Sequence, residues 1–433
     1  MTRTDHADSA WVSLGIFAWN EERAVADLLE SLFRQTLFRN ARERGLRCEV
    51  LCLANGCTDR TAAVAASVFA KQSATHPEAG AFSARVETIA QRGKINAWNQ
   101  FVHQLSSRDA RFLFLMDADI LLQRPETLWN MARALEQHAE ASIAVDRPCK
   151  DISFKPRKTL FERLSLAASR MTLSADAQLC AQLYCIRSET ARNIYLPKDL
   201  AACDDGFIKA LVCTDFLEDE IRPERICLAP EAEHTFEAYT SPAAILKNQK
   251  RQVIGQTIVH ILVDQCLPAL TPAQRRQMGE VIRNKETTDP AWLKRLIAGH
   301  LARQKYCWRL YPGLFGQRFR KLKKLGLISR MFCLPAAALG SGATLLASFL
   351  AYRSLKAGGT DYWPKAPRRG FAQGNGQEVP TAMGLLAGPW DGLHTEGSLF
   401  PSEVEREKHR QIKDVVHVRD SSIGAVASAK LDR

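Results

Sequence analysis

Three short apolar runs each end in a polar cluster, and that pairing constrains the fold more than any other feature. Residues 12–18 (VSLGIFA) lead into Trp19-Asn20-Glu21-Glu22, residues 49–54 (EVLCLA) into Asn55-Gly56-Cys57-Thr58-Asp59, and residues 111–116 (RFLFLM) into Asp117-Ala118-Asp119. Apolar runs of this length without alternation read as strands buried on both faces. Helical patterns stand between them. Val25, Leu28, Leu29, Leu32 and Phe33 recur at helical spacing, an alanine-rich helix is predicted from 60 to 71, and others over 94–105 and 126–138. Asn20 is placed to cap the first of these, with Glu21 and Glu22 in its first turn. Further strands are predicted at 85–90 and 142–146. This alternation predicts an α/β fold, a mostly parallel sheet with helices on both faces. Ligands of such sheets bind beyond the carboxyl ends of the strands. The three polar clusters are therefore expected to converge on one crevice.

Asp117 and Asp119, two apart at the end of a buried strand, point to the same side. Two carboxylates there repel, and burial raises the cost. A divalent cation resolves the conflict, and all-oxygen ligands select Mg2+ or Mn2+, usually shared with substrate phosphates.

The motifs resemble those of a family 2 glycosyltransferase with the GT-A (Rossmann-like) fold. VSLGIFAWNEE is similar to the family's opening strand and AYNEE turn, LCLANGCTDRTA to its second strand, and QRGKINAWN to its GKxxALN segment. FLFLMDADI is similar to its DxD strand, AQLYCIRSE to its acceptor-side strand, and CDDGFIKAL to its EDxxL helix start. The segments run in the family's order across about residues 12–240, roughly half the chain.

The resemblance implies a hexosyltransferase-class enzyme, inverting and metal-dependent, that uses a nucleotide-sugar donor, a UDP-sugar foremost. Ala18, Asn20 and Glu21 would line the nucleotide pocket, Asn55 and Asp59 would lie near base and ribose, and Gly93 and Lys94 would approach the diphosphate. Asp117 would meet the donor and share the metal with Asp119, and His234 would complete the metal shell. Gln182 and Tyr184 fall on the acceptor side. Asp205 matches the family's catalytic base, with Asp204 beside it, and an Asp pair at a helix start also suits a cap. The chain departs from the pattern at Ala54 or Asn55, where the family often has Asp, and at Ala181, where it has Gly. Gln249-Lys250-Arg251-Gln252 is faintly similar to the QxxRW motif of processive membrane synthases. Its Trp is absent and the spacing is short, so processive synthesis is not expected, while Arg251 remains a candidate phosphate contact.

Charge is uneven. The chain carries +12, yet residues 247–330 hold 18 Lys and Arg against 4 Asp and Glu. A basic amphipathic helical region is expected over 241–330, with Trp292, Tyr306, Trp308, Tyr311 and Phe319 suited to a headgroup interface. No nucleic-acid motif accompanies the charge, so the expected partner is an anionic membrane surface rather than nucleic acid. Residues 331–352 (MFCLPAAALGSGATLLASFLAY) carry no charge and read as an apolar membrane-inserting or re-entrant segment. Residues 353–433 read as a largely irregular tail. The 12 cysteines contain no CxxC pair, which argues against structural zinc and fits a reducing compartment. The first residues lack an apolar signal core. The expected arrangement is a catalytic domain at 1–240 on the cytoplasmic face of the inner membrane, acting on a lipid-linked or cell-envelope glycan acceptor. The alternative is a non-catalytic membrane-bound subunit that keeps the fold.

Overall fold

The computed structural model describes residues 10–159, 162, 163, 166, 178–200, 202–239, 241–315 and 327–359. An eight-stranded sheet holds β1 Val12–Ala18, β2 Cys48–Asn55, β3 Phe82–Ile89, β4 Phe112–Asp117, β5 Ile120–Leu122, β6 Ile143–Lys150, β7 Leu183–Arg187 and β8 Ile226–Phe236. Their order is β3-β2-β1-β4-β7-β6-β8-β5. The first four are parallel. β7 then enters antiparallel to both β4 and β6, β6 and β8 run parallel with a register shift between Val145 and Arg147, and β5 closes the edge antiparallel to β8. The chain steps outward from β1 to β3 and returns to place β4 on the other side of β1. The carboxyl ends of β1 and β4 therefore flank the topological switch point, where a crevice opens by construction.

β1, β2 and β4 are buried along their whole length, which is why they read as unbroken apolar runs. The helices are α1 Val25–Phe33, α2 Leu37–Glu43, α3 Thr61–Thr75, α4 Lys94–Gln100, α5 Thr127–Gln137, α6 Ser188–Arg192, α7 Asp204–Cys213, α8 Pro242–His260, α9 Pro272–Arg276, α10 Met278–Thr288, α11 Trp292–Arg303 and α12 Leu327–Lys356. α1 turns Val25, Leu28, Leu29, Leu32 and Phe33 into the core. There the Phe33 ring lies 5.0 Å from Phe82, and Phe38 lies 5.1 Å from the same ring. On β1, Gly15 makes room for the Phe101 ring, since a Cβ there would stand 2.9 Å from three of its carbons.

Several boundaries differ from the sequence expectation. Asn20 is not a helix cap: its φ is +55°, and α1 begins only at Val25 with no side-chain cap. The predicted helix over 94–105 is α4 followed by a π-helix, Phe101–Leu105. α8 opens where Ser241 Oγ accepts from the Ala244 N–H at 3.2 Å and Pro242 stands in the first turn.

The chain divides into two compact units, residues 1–310 with 342–392 and residues 311–341 with 393–433. The apolar segment 331–352 lies inside the single helix α12. From Gly342 onward α12 buries Ala347, Ser348, Ala351 and Leu355 and exposes Leu345, Leu346 and Phe349. Among the described residues no helix is long and apolar enough to cross a membrane. The helix also runs to Lys356, into the stretch expected to be irregular. Residues 360–433, and 316–326 with Phe319 and the basic run at 318–324 (RFRKLKK), lie outside the described residues.

Filling the Gly15 gap tests the packing. Gly15→Val should cost roughly 1–3 kcal/mol, because the rigid Phe101 ring must move. A urea midpoint equal to that of the wild type would contradict this packing.

Candidate active site

The crevice is assembled by one amide. Asn55, buried at the end of β2, donates through Nδ2 to the Ala18 carbonyl at 2.8 Å and accepts from the Gly93 N–H through Oδ1 at 3.1 Å. The ends of β1 and β2 are thereby tied to the start of α4. Gly93 has φ +143°, a conformation that L side chains rarely adopt. Gly56, at φ +62°, lets the Arg92 backbone pass, since a Cβ there would meet Arg92 Cβ at 2.6 Å.

This geometry delivers Lys94 to the end of β4. Its Nζ stands 2.6 Å from Asp117 Oδ1 and donates to the Ala181 carbonyl at 2.8 Å. The Asp117 N–H donates to the Gln182 carbonyl at 2.9 Å, which joins β4 to the approach to β7. Burial alone would pull the Lys94 pKa down, but Asp117, Asp204 and Asp119 outweigh it and hold the ammonium above its usual range. Burial pushes Asp117 up to about 6, with Asp119 and Asp204 adding to the rise and Lys94 opposing it.

Asp204 and Asp205 open α7, where the helix dipole favours carboxylates. Cys203 before them sits at φ +60°. α8 supports this turn from behind. A Cβ on Gly255 would meet the Ala202 carbonyl oxygen at 2.6 Å and Cys203 Sγ at 2.8 Å, and Cys203 Sγ lies 3.1 Å from Gln252 Oε1. That approach brings the buried Arg251 close enough to act on Asp205, and its charge also bears on Tyr239. Asp204 is buried, and its Oδ2 has no hydrogen-bond partner among the described residues. Asp205 accepts from the Gly206 N–H at 2.8 Å. Burial, then the Asp204 charge, raises the Asp205 pKa, with Lys94 and Arg251 opposing.

The remaining expected residues are placed unevenly. Asn20 Oδ1 accepts from the Thr58 N–H at 2.7 Å, and the Glu21 N–H donates to Thr61 Oγ1 at 2.7 Å. Asp59 Oδ1 accepts from the Thr61 N–H at 3.0 Å, so this carboxylate helps fix the start of α3. Tyr184 is buried, its hydroxyl accepting from Trp98 Nε1 at 2.7 Å, and backs the crevice as a wall. His234 is fully buried. Its Nδ1 lies 2.7 Å from Asp146 Oδ2 and its Nε2 3.4 Å from Gln182 Oε1. Among the described residues no group of three or more His, Cys, Asp or Glu is gathered to hold a metal ion, so His234 does not join Asp117 and Asp119 in such a set. A cation that takes most of its ligands from phosphate and water needs only one or two carboxylates. Asp119 with Asp117 fits that demand, in a crevice where the aspartates Asp117, Asp119, Asp204 and Asp205 outnumber Lys94 and Arg251. Tyr239 and Asp146 escaped the sequence reading, because neither sits in a motif. Asp146 meets His234 only through the β6–β8 pairing.

The charge imbalance carries a stability prediction. The folded state holds the Asp205 proton more tightly than the unfolded chain, so stability falls as pH rises through the unfolded carboxylate range, about 4, towards neutrality. Asp205→Asn should therefore be more stable than wild type at pH 7.5 in EDTA, by about 1 kcal/mol. The gain should shrink at pH 4.5. A variant less stable than wild type at both pH values would contradict the charge picture.

Residues 13–187 match the model described as Glycosyl transferase family 2. No curated protein matches the chain. Among solved structures, the chain is similar to the mannosyltransferase PcManGT from Pyrobaculum calidifontis in complex with GDP-Man and Mn2+, at 15% identity and TM-score 0.45, over 81% of this chain and 87% of that one. S. aureus TarS 1–349 is similar at 14% identity and TM-score 0.39, over 84% and 97%. Glucosyl-3-phosphoglycerate synthase from Mycobacterium tuberculosis is similar at 18% identity and TM-score 0.38, over 60% and 81%. Likeness this loose carries no argument about ligands, whereas the family match covers β1 through β7 and the strand ends that form the crevice. Residues 13–187 therefore form a family 2 glycosyltransferase domain.

Proposed function

We propose that the protein is an inverting, metal-dependent glycosyltransferase that moves a sugar from a nucleoside-diphosphate sugar, a UDP-sugar foremost, to a lipid-linked or cell-envelope glycan. The observation that carries this reading is the convergence of Lys94, Asp117, Asp205 and Arg251 at one switch point of a family 2 domain. Lys94 and Arg251 supply cationic hydrogen-bond donors for an anionic leaving group. Asn20, Glu21, Asn55 and Asp59 frame the turns where the nucleoside would lie. Mg2+ or Mn2+, held by Asp119 with Asp117, would offset charge on the departing diphosphate.

Asp205 takes the proton from the acceptor hydroxyl while that oxygen bonds to the anomeric carbon. The bond from that carbon to the diphosphate oxygen breaks, and its electron pair leaves with the diphosphate. Attack opposite the leaving group inverts the centre. The raised proton affinity of Asp205 suits a general base better than an ordinary exposed carboxylate would.

A site of action at an anionic membrane surface, on the cytoplasmic face of the inner membrane, draws support from exposed apolar groups near basic ones. Tyr306 and Trp308 stack in the open with centroids 4.9 Å apart, next to Lys305 and Arg309. Leu345, Leu346 and Phe349 are exposed on α12, one turn before Arg353.

Calorimetric titration of UDP, GDP and CDP, each with and without Mn2+, tests the donor site. One nucleotide should bind only with metal, and Asp119→Ala should abolish that binding. Asp205→Asn should keep nucleotide binding yet lose about 10²- to 10⁴-fold in transfer. Transfer undiminished in Asp205→Asn would remove the assigned base. Metal-dependent binding with no transfer to any acceptor tried would favour a non-catalytic subunit.

A further inference from the structure

A second cavity, about 300 Å³, opens on the helix that begins with Lys94. One wall is the polar face of α4 and the π-helix after it: Asn96, Asn99, Gln100, His103 and Gln104. The opposite face of the same segment, Ala97, Trp98 and Phe101, is in the core. Tyr195, just after α6, and Arg283 of α10 complete the lining. None of the crevice residues described above lines it, so it is a separate feature of the fold.

The hydrogen-bond inventory is lopsided. Asn99 is spent at both ends on Leu196, donating to its carbonyl at 2.8 Å and accepting from its N–H at 3.0 Å. Asn96 donates to the Gln91 carbonyl at 3.1 Å and accepts from Gln100 Nε2 at 3.2 Å. His103 Nε2 lies 2.9 Å from the Ile194 carbonyl oxygen, which can only accept, so that nitrogen carries the proton. Left over are the Arg283 guanidinium, the Tyr195 hydroxyl and the Gln104 amide, which have no side-chain hydrogen-bond or ion-pair partner among the described residues. These groups offer N–H and O–H donors, and no Asp or Glu lines the cavity. Arg283 shares this lining with Tyr195 and His103, and its charge opposes a proton on either ring. Glu286, the acid that bears on Tyr195, is held 2.6 Å from Trp292 Nε1.

A pocket with surplus donors, a cation and no competing carboxylate is complementary to an oxyanion. Its volume lies at the small end of ligand clefts, about 300–1,000 Å³. We propose that this cavity binds a small oxyanion-bearing molecule, its phosphate or carboxylate seated on Arg283 and Tyr195.

The test titrates the full chain with inorganic phosphate and, separately, with malonate, at constant ionic strength against chloride. Wild type, Arg283→Gln, Tyr195→Phe and Lys94→Gln are compared. At least one of the two anions should bind, with affinity about tenfold weaker in Arg283→Gln and reduced to a smaller extent in Tyr195→Phe. That binding should persist in Lys94→Gln, whose side chain belongs to the crevice and does not line this cavity. Phosphate alone, or malonate alone, identifies which oxyanion the site takes. Binding that survives Arg283→Gln intact, or no binding beyond chloride, overturns the proposal. Arg283-dependent anion binding in a protein that binds no nucleotide would leave this inference standing while removing the proposed donor site.

Discussion

The ion pair between Lys94 and Asp117 is the contact on which the crevice depends. The two side chains come from elements far apart in sequence, yet Nζ and Oδ1 stand 2.6 Å apart and both groups are largely buried. A buried carboxylate without its partner is costly, typically several kcal/mol when one member is removed. The surrounding bonds all serve this juxtaposition. Asn55 fixes where α4 begins, Gly93 supplies the turn, and the Ala181 carbonyl takes a second hydrogen bond from Lys94. Because Ala181 precedes β7, the same ammonium also anchors the antiparallel strand that interrupts the parallel half of the sheet.

Around that pair the crevice carries more negative charge than it neutralises. Asp117 and Asp205 both hold protons more tightly than ordinary carboxylates, and burial is the leading cause in each case. Such an arrangement stores instability that an incoming cation or a transferable proton relieves. Residues 13–187, which match the family 2 glycosyltransferase model, place Lys94, Asp117 and Asp119. α7 and α8, which bring Asp204, Asp205 and Arg251, lie beyond that span and complete the crevice from outside it.

Much of this was legible in the sequence because burial on both faces leaves a simple trace. β1, β2 and β4 read as apolar runs, and the polar residues after them had to gather at one edge of the sheet. Lys94, Asp117, Asp119, Asp204 and Asp205 were visible as motif residues at element ends. Features set by pairing between distant strands were not visible. The antiparallel insertion of β7 leaves no periodicity of its own. His234 looks like a candidate ligand in sequence, but the β6–β8 register seats it against Asp146. Asn20 resembles a helix cap, yet its left-handed backbone turns the side chain to Thr58 instead. Which face of residues 331–352 packs was not visible either, since an uncharged run shows no sidedness, whereas α12 buries Ala347, Ser348 and Ala351 and exposes Leu345, Leu346 and Phe349.

A double-mutant cycle between Lys94→Met and Asp117→Asn, read by urea denaturation at pH 7.5, tests the central claim most directly. Each single variant should lose stability, and the double variant should recover part of the loss, with a coupling energy of about 2 kcal/mol or more. Losses that simply add would mean that the two side chains do not hold each other, and that the crevice is organised by something else.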